Sequence, residues 1–469
     1  MAERMQKFVS LGQKWPEKRA PKERATDFHE IHREFIAQKA ADQAARCAQC
    51  GVPFCQTHCP LQNNIPDWLK LTAEGRLEDA YVLSASTNPM PEICGRICPQ
   101  DRLCEGACVI EQSGHGSVTI GAVEKYLTDT AWREGWVKPI QPRIERSETI
   151  GIIGAGPAGL AAAERLRTRG YQVTVYDRHD RIGGLLIYGI PNFKLEKDVV
   201  ERRTQRLIDG GVKFELNCNV GEDVTFDELR QRHDAVLIAT GVYKAKPLNA
   251  PNDRAVIPAL DYLIAANRVG LGDDVPDFTS GKLNAKDRRV VVIGGGDTAM
   301  DCVRTARRQG AESVTCLYRR DKPNMPGSQR EVNHAEEEGV TFDWLAAPKS
   351  VRAGKSPAVK AVRMQLGPPD ESGRQTPQEK PDSAYEVPGD LIIAALGFDA
   401  EDVSAWAETT RWGTVKADPI TYATNEPGVY AAGDIVRGAS LVVWAIREGR
   451  DAADAMHTYI QAQAKVAAQ

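Results

Sequence analysis

Eight of the chain's eleven cysteines fall into two short groups, Cys47, Cys50, Cys55, Cys59 and Cys94, Cys98, Cys104, Cys108. Their spacings are C-x2-C-x4-C-x3-C-P, closing on Pro60, and C-x3-C-x5-C-x3-C, with Pro99 after Cys98. Soft thiolates on loops that turn at Gly51, Pro53 and Pro60 suit a soft metal centre, and proline after cysteine recurs in iron–sulfur loops. The x4 gap departs from the bacterial ferredoxin run. Zinc and disulfides are the competing roles. Zinc ribbons favour paired CxxC knuckles, and only Cys47 and Cys50 have that spacing. Disulfides need an oxidising compartment, whereas Met1 to Trp15 carries Arg4, Lys7 and Lys14 and no apolar run for export. The expected location is the cytosol. Cys218, Cys302 and Cys316 read as small buried hydrophobes.

Two glycine-rich fingerprints follow the cysteines. Thr149 to Leu160 runs from an apolar stretch into Gly154-x-Gly156-x-x-Gly159 and then a helix-forming segment. The first glycine permits the tight turn, the second admits a pyrophosphate, and the third lets helix and strand pack closely. The next strand ends at Asp177, placed to accept hydrogen bonds from ribose hydroxyls. Arg181-Ile-Gly183-Gly184-Leu just after the acid, and Gly433-Asp434 near the C-terminus, favour a flavin dinucleotide here, with Asp434 on a ribitol hydroxyl. A plain helix cap is the competing role for Asp434.

The second fingerprint, Arg288 to Asp301, reads Gly294-x-Gly296-Asp297-Thr298-Ala299, with alanine at the third position. Its following strand, Ser313 to Tyr318, ends in Arg319-Arg320 rather than in an acid. Two guanidinium groups suit a 2′-phosphate, so the reading is NADP(H) rather than NAD. An ion pair with Asp321 is the alternative use of these arginines.

The elements that must carry these residues form about three domains, as 469 residues require. Residues 1–145 are expected to form a helical domain with two 4Fe-4S clusters. Stretches such as Asp27 to Arg46 and Ile65 to Ser84 read as short helices holding the cysteine loops. A Pro-bearing polar linker, Lys138 to Thr149, leads into alternating strands and helices. The fold class is α/β, with two Rossmann-like dinucleotide-binding domains after the helical one. The flavin domain is discontinuous, 146–247 with 398–469, around a nicotinamide domain, 248–397. Ile238 to Gly241 and Ala394 to Gly397 mark the crossings. Gly367 to Gly389 reads as an exposed loop or hairpin without chemistry. A net charge of −4 gives no general attraction to nucleic acid or anionic lipid. No apolar run approaches the roughly 20 residues of a membrane helix.

Several stretches closely resemble the small (beta) subunits of bacterial NADPH-dependent glutamate synthases over nearly the full length. They are CAQCGVPFCQTHCP, CGRICPQDRLCEGAC, IGAGPAGLAAAERL, GGGDTAMDCVRTA, YRRDKPNMPGSQREV and AAGDIVRGASLVVWAIREGRDAA. The wider relatives include adrenodoxin-reductase-like flavoproteins and the N-terminal half of dihydropyrimidine dehydrogenase. The resemblance implies a subunit that oxidises NADPH at FAD and passes electrons through two 4Fe-4S clusters to a large, FMN-carrying subunit, which makes glutamate from glutamine and 2-oxoglutarate. It also implies interleaved ligation: Cys47, Cys50, Cys55 and Cys108 on one cluster, and Cys59, Cys98 and Cys104 on the other. The dihydropyrimidine dehydrogenase relatives use a glutamine as fourth ligand of the second cluster. The matching position here is Glu124, which leaves Glu124 and Cys94 as candidates, with an exposed helix residue the bland reading of Glu124.

Cofactors carry the chemistry in such a chain, so no side chain is nominated as nucleophile or general base. His58 beside Cys59 reads as an exposed loop residue. Two other functions compete: a ferredoxin:NADP oxidoreductase subunit, and a nucleotide-binding redox sensor or zinc scaffold without turnover.

Overall fold

The computed structural model describes residues 5–467, apart from 355, 372 and 374. Arg4, part of the basic N-terminus, lies outside them. The N-terminal region is built from helices, chiefly Ala37–Ala44, Ile65–Ala73, Leu77–Ala85, Pro91–Ile97 and Ile120–Arg133. Their apolar faces close on Trp68, which is fully buried and donates its indole N–H to Asn63 Oδ1 at 2.8 Å. Two of the expected helical stretches are shorter than their periodicity. Gly75, at φ +76°, breaks Ile65 to Ser84 into two helices. Only the end of Asp27 to Arg46 is helical; the residues before Ala37 run as a strap. Tertiary contacts hold that strap open. Arg19 grips Asp27, a bridge pairs Lys18 with His32, and Arg24 lies buried against Glu337 and Glu338, more than three hundred residues away.

Two five-stranded sheets follow. The first has the order Val429–Ala431, Ala235–Ile238, Thr149–Ile153, Gln172–Asp177, Lys213–Leu216, with every pairing parallel. Its edge strand comes from the C-terminal end of the chain, which makes the flavin-type domain discontinuous. The second has the order Ile257–Pro258, Leu391–Ala394, Arg289–Ile293, Ser313–Tyr318, Thr341–Trp344, again parallel. Strands such as Ala235–Ile238 are apolar throughout because helices cover both faces. A two-stranded antiparallel ribbon, Lys244–Ala245 against Phe398–Asp399, joins the two units where the chain leaves and returns.

The stretch Gly367 to Gly389 contributes to an added antiparallel sheet. Ala358–Pro369 pairs with Ala346–Arg352, Gln375–Glu379 and Tyr385–Pro388. The hairpin reading holds for its described residues; the four-stranded sheet around it was not foreseen.

The C-terminal helix, Val442–Ala467, packs along Pro157–Thr168. Contact is so close that a Cβ on Gly449 would stand 2.0 Å from the Ala158 carbonyl oxygen, so only glycine fits. From the same helix Arg450 donates to the Thr87 carbonyl at 2.7 Å, docking the cysteine domain onto the flavin-type domain. A buried pair, Arg203 with Glu92 at 2.6 and 2.8 Å, does the same. Among the described residues no helix is long and apolar enough to cross a membrane.

Candidate functional site: two thiol cages beside a paired nucleotide cleft

All eleven cysteines are free thiols. Cys47, Cys50, Cys55 and Cys108 line one small apolar cavity with Pro53, Phe54, Pro66 and Leu69. The segment between Cys50 and Cys55 curls over it and leaves Val52, Phe54 and Val109 exposed at the rim. Among the described residues no three acidic, histidine or cysteine side chains converge as a single ion would require. Burial raises the Cys47 and Cys55 thiols, Cys55 to about 12. A thiolate would therefore persist there only with metal charge beside it.

Cys59, Cys94, Cys98 and Cys104 form a second group around Glu124. Burial raises Cys94, Cys98 and Cys104 far above the ordinary thiol value, and neighbouring Cys98, Cys59 and Glu124 push further in the same direction. Glu124, on the Ile120–Arg133 helix, is buried, not exposed, which corrects the bland reading of that residue. Its carboxyl is pushed up to about 8 by burial, against weak donation from Asn88 Nδ2 at 3.4 Å and Ser84 Oγ at 3.5 Å. Cys59, Cys98 and Cys104 all feel the Glu124 charge. Cys94 lies fully buried beside Asn88. His58 is exposed, its Nδ1 3.0 Å from the Phe54 carbonyl.

In the first fingerprint each glycine meets the constraint its position implies. Gly154 sits at φ +109°, and a Cβ there would stand 2.4 Å from the Ala239 carbonyl oxygen; on Gly159 it would stand 2.0 Å from the Gly154 oxygen. Gly156 faces open space, the clearance a pyrophosphate needs. Asp177 is buried, with Oδ2 accepting from Ala155 N at 2.7 Å and Oδ1 from His179 N at 2.8 Å. Burial opposes its ionisation, but His179 and these backbone donors hold it below the usual carboxylate range. It opens on a cavity of about 290 Å³ with Arg178, Cys218, Tyr243, Glu401 and Trp406, none of which the motif foretold.

Gly184 lies against Gly156, a Cβ there meeting Gly156 Cα at 2.9 Å. Gly433 caps the short helix Asp434–Arg437 at φ +82°, and its N–H donates to Glu448. Asp434 is the first helical residue rather than the cap, and burial raises its carboxyl to about 6.

The second fingerprint repeats this geometry. Gly294 sits at φ +143° against the Ala395 carbonyl, Gly296 faces open space, and Ala299 is fully buried. Asp297 and Thr298 open the helix Asp297–Arg308. Asp301, further along it, is tied to Lys194 at 2.8 Å. Arg319 is exposed and Arg320 half-buried, with its Nε buried and without a partner. Asp321 binds Asn324, at 2.6 Å, so its carboxylate is engaged elsewhere.

One cavity of about 270 Å³ gathers the three sets. Leu185 and Asp434 come from the flavin-type unit, Asp297, Thr298 and Ser328 from the nicotinamide-type unit, and Cys98 with its neighbours Ile97 and Pro99 from the cysteine domain. Cys94 and Cys98 also share a hydrophobic core with the flavin-type domain, whereas Cys47 and Cys108 do not.

Comparison with known proteins accords with this architecture. Residues 24–136 match the family described as dihydropyrimidine dehydrogenase domain II, 4Fe-4S cluster, and residues 148–449 match pyridine nucleotide-disulphide oxidoreductase. The glutamate synthase (NADPH) small chain of Azospirillum brasilense is 61% identical over 99% of this chain and 98% of its own length. The chain belongs to the glutamate synthase small-chain family. Within reach of that family stands the putative oxidoreductase AegA of Escherichia coli K12, 44% identical over 96% of this chain and 70% of its own. Mycobacterium tuberculosis FprA in complex with NADPH superposes with a TM-score of 0.59 at 19% identity, over 69% of this chain and 86% of that one. That likeness reaches the two nucleotide-binding units and shows their fold. What the small-chain family adds is the cysteine domain docked at their junction.

Proposed function

We propose that this chain is the electron-input subunit of an NADPH-dependent glutamate synthase. FAD lies along Gly154, Gly156, Gly159, Asp177, Gly184, Gly433 and Asp434; NADPH lies along Gly294, Gly296, Asp297, Thr298 and Ala299, with Arg319 and Arg320 on its 2′-phosphate. Bound there, the flavin supplies the conversion of a hydride's electron pair into single electrons, the form a cluster accepts. The thiol sets hold two 4Fe-4S clusters, the inner by Cys59, Cys98, Cys104 and Glu124, the outer by Cys47, Cys50, Cys55 and Cys108. Glu124 is preferred to Cys94 because it stands, buried, at the position where the dihydropyrimidine dehydrogenase relatives carry their fourth ligand; Cys94 lies as close to Cys59 and Cys98 electrostatically.

The observation that carries this reading is the shared cavity, where Cys98 stands with the flavin-type and nicotinamide-type residues. It makes the inner set the first acceptor and the outer set, with its exposed rim, the exit. The protein's part is to align two ring systems and keep water from them; no side chain takes part in bond making. The electrons leave for a large, FMN-carrying subunit in the cytosol, where glutamine and 2-oxoglutarate become glutamate.

Anaerobically purified chain is expected to hold flavin, iron and labile sulfide, to reduce artificial acceptors with NADPH, and to consume no glutamine alone. Zinc without iron would reject the cluster assignment. The 44% identity to AegA favours one second reading, a reductase for a different acceptor. Restoration of NADPH- and glutamine-dependent glutamate formation by a glutamate synthase large subunit decides for the first; failure with that subunit decides for the second.

A further inference from the structure

The nicotinamide-type fingerprint carries a carboxylate where its anionic ligand should dock. Asp297 is the first residue of the Asp297–Arg308 helix, whose free N–H groups and dipole favour a diphosphate. An acid at that position supports the helix by itself but repels a diphosphate a few ångströms away. The structure answers that charge from outside the nucleotide domain. Arg102 Nη2 lies 3.1 Å from Asp297 Oδ2, while Arg102 Nη1 donates to the Pro326 carbonyl at 2.6 Å. Arg102 ends the Gln100–Arg102 turn, between Cys98 and Cys104.

The approach is fixed from both sides. Ser328 N donates to Asp297 Oδ1 at 2.9 Å, and Ser328 Oγ lies 3.3 Å from Oδ2 of Asp101, the neighbour of Arg102. Gly327 N donates to the Gly295 carbonyl at 2.9 Å, which seats the Pro326-to-Ser328 segment on the fingerprint turn. The Arg102 side chain keeps 41% of its surface exposed, and a guanidinium has five N–H donors, so these contacts do not exhaust it.

We propose that Arg102 is a nicotinamide-nucleotide-binding residue lent by the cysteine domain, neutralising Asp297 at the helix N-terminus and presenting its remaining N–H groups to the diphosphate. The proposal rests on the reading of Gly294 to Ala299 as the NADPH site. Its consequence is that NADP(H) affinity depends on the cysteine segment being docked, so the site is complete only when an electron acceptor stands beside it.

The test uses the full chain with its flavin and clusters, and NADP+ titrated by calorimetry. Arg102→Gln should weaken NADP+ about tenfold, the scale of a lost charge-assisted contact plus an uncovered like charge. Arg102→Lys should retain most of the affinity, since a point charge still faces Asp297. The double variant Arg102→Gln with Asp297→Asn should recover to within about threefold of the parent, because no naked carboxylate remains. Flavin and iron contents report whether each variant is intact. Parent-like binding by an intact Arg102→Gln, or a double variant as weak as the single, would each overturn the proposal. A parent that holds flavin yet binds no NADP+ would instead reject the site reading itself, and Arg102's role with it.

Discussion

The two thiol sets use the same residue type on neighbouring loops yet sit in different surroundings. The outer set is closed by its own domain, with Val52 63% and Phe54 46% exposed beside it. The inner set reaches beyond that domain: Cys98 stands in the cavity that Asp434 and Asp297 also line, and Cys94 and Cys98 join the flavin-type core, while Cys104 stays in the cysteine domain's own core. Spacing alone does not separate them; what separates them is which domain each loop is pressed against. On the proposed reading, that difference in packing gives an electron path its direction, from the cleft inward and then out to the rim.

The sharpest way to break the comparison is one cysteine from each set. Cys98→Ser should uncouple the cleft from everything beyond it. Flavin reduction by NADPH should persist in stopped-flow absorbance, while electron delivery to a large protein acceptor falls by at least about a hundredfold, the scale of a lost step rather than a weakened contact. Cys50→Ser should spare the inner cluster's paramagnetic signal and abolish only the outer one. If Cys98→Ser keeps both paramagnetic signals and parental electron delivery, Cys98 holds no cluster and the inner assignment falls.

A finer test separates the candidates for the fourth inner ligand. Glu124→Ala should remove roughly half of the iron and sulfide, as loss of one of two cluster sites requires. Cys94→Ser should leave both at parental levels. The opposite result would transfer the ligand role to Cys94, which is equally buried and shares Asn88 with Glu124.

Much of this was readable in the residues because the determinants are local. Gly159 answers to the Gly154 carbonyl within one strand–turn–helix unit and Asp177 ends the next strand, so a short window specifies them, whereas Gly154 also answers to Ala239, just past the end of a distant strand. The cysteine spacing was legible for the same reason. The strap before Ala37 was not, since its helical periodicity loses to Arg24, whose partners lie more than three hundred residues away. Burial of Glu124 was invisible for a related reason: Ser84 and Asn88, which receive it, belong to different turns of the chain. The cavity shared by Cys98, Asp434 and Asp297 joins three distant segments, and no window of sequence contains it.

With metal removed, burial should set the order of alkylation. Cys50 and Cys55 are only partly covered, while Cys94 and Cys104 are 5% and 7% exposed. Reaction of the apo-protein with iodoacetamide, followed by peptide mapping, should label Cys50 and Cys55 at least about tenfold faster than Cys94 and Cys104, because those two react only after the units open. Equal rates would mean that the units do not stay docked without their clusters.

Acid should erase that contrast before it unfolds the chain. Docking of the strap depends on Glu338, buried between Arg304 and Arg308 at 2.9 and 2.7 Å and facing Arg24 at 3.1 Å. Burial opposes its ionisation, but Arg308 and Arg304 outweigh it and hold the carboxyl at about 2, below the ordinary 4.5. A carboxylate with a depressed folded value stabilises fully above about pH 4.5 and loses that contribution as the pH falls toward 2. The linkage is about 3 kcal/mol for a shift of that size. Inner-thiol labelling in apo-protein, followed with an acid-tolerant reagent, should therefore rise between about pH 4.5 and 2 toward the outer rate. Glu338→Gln should show raised inner labelling already at neutral pH, with little further dependence on acid over that window, since the titrating group is gone. If the variant keeps the parent's protection and pH profile, the strap does not hold the three units around the inner set, and that set's seclusion must come from Arg203 with Glu92 and from Arg450 on the Thr87 carbonyl.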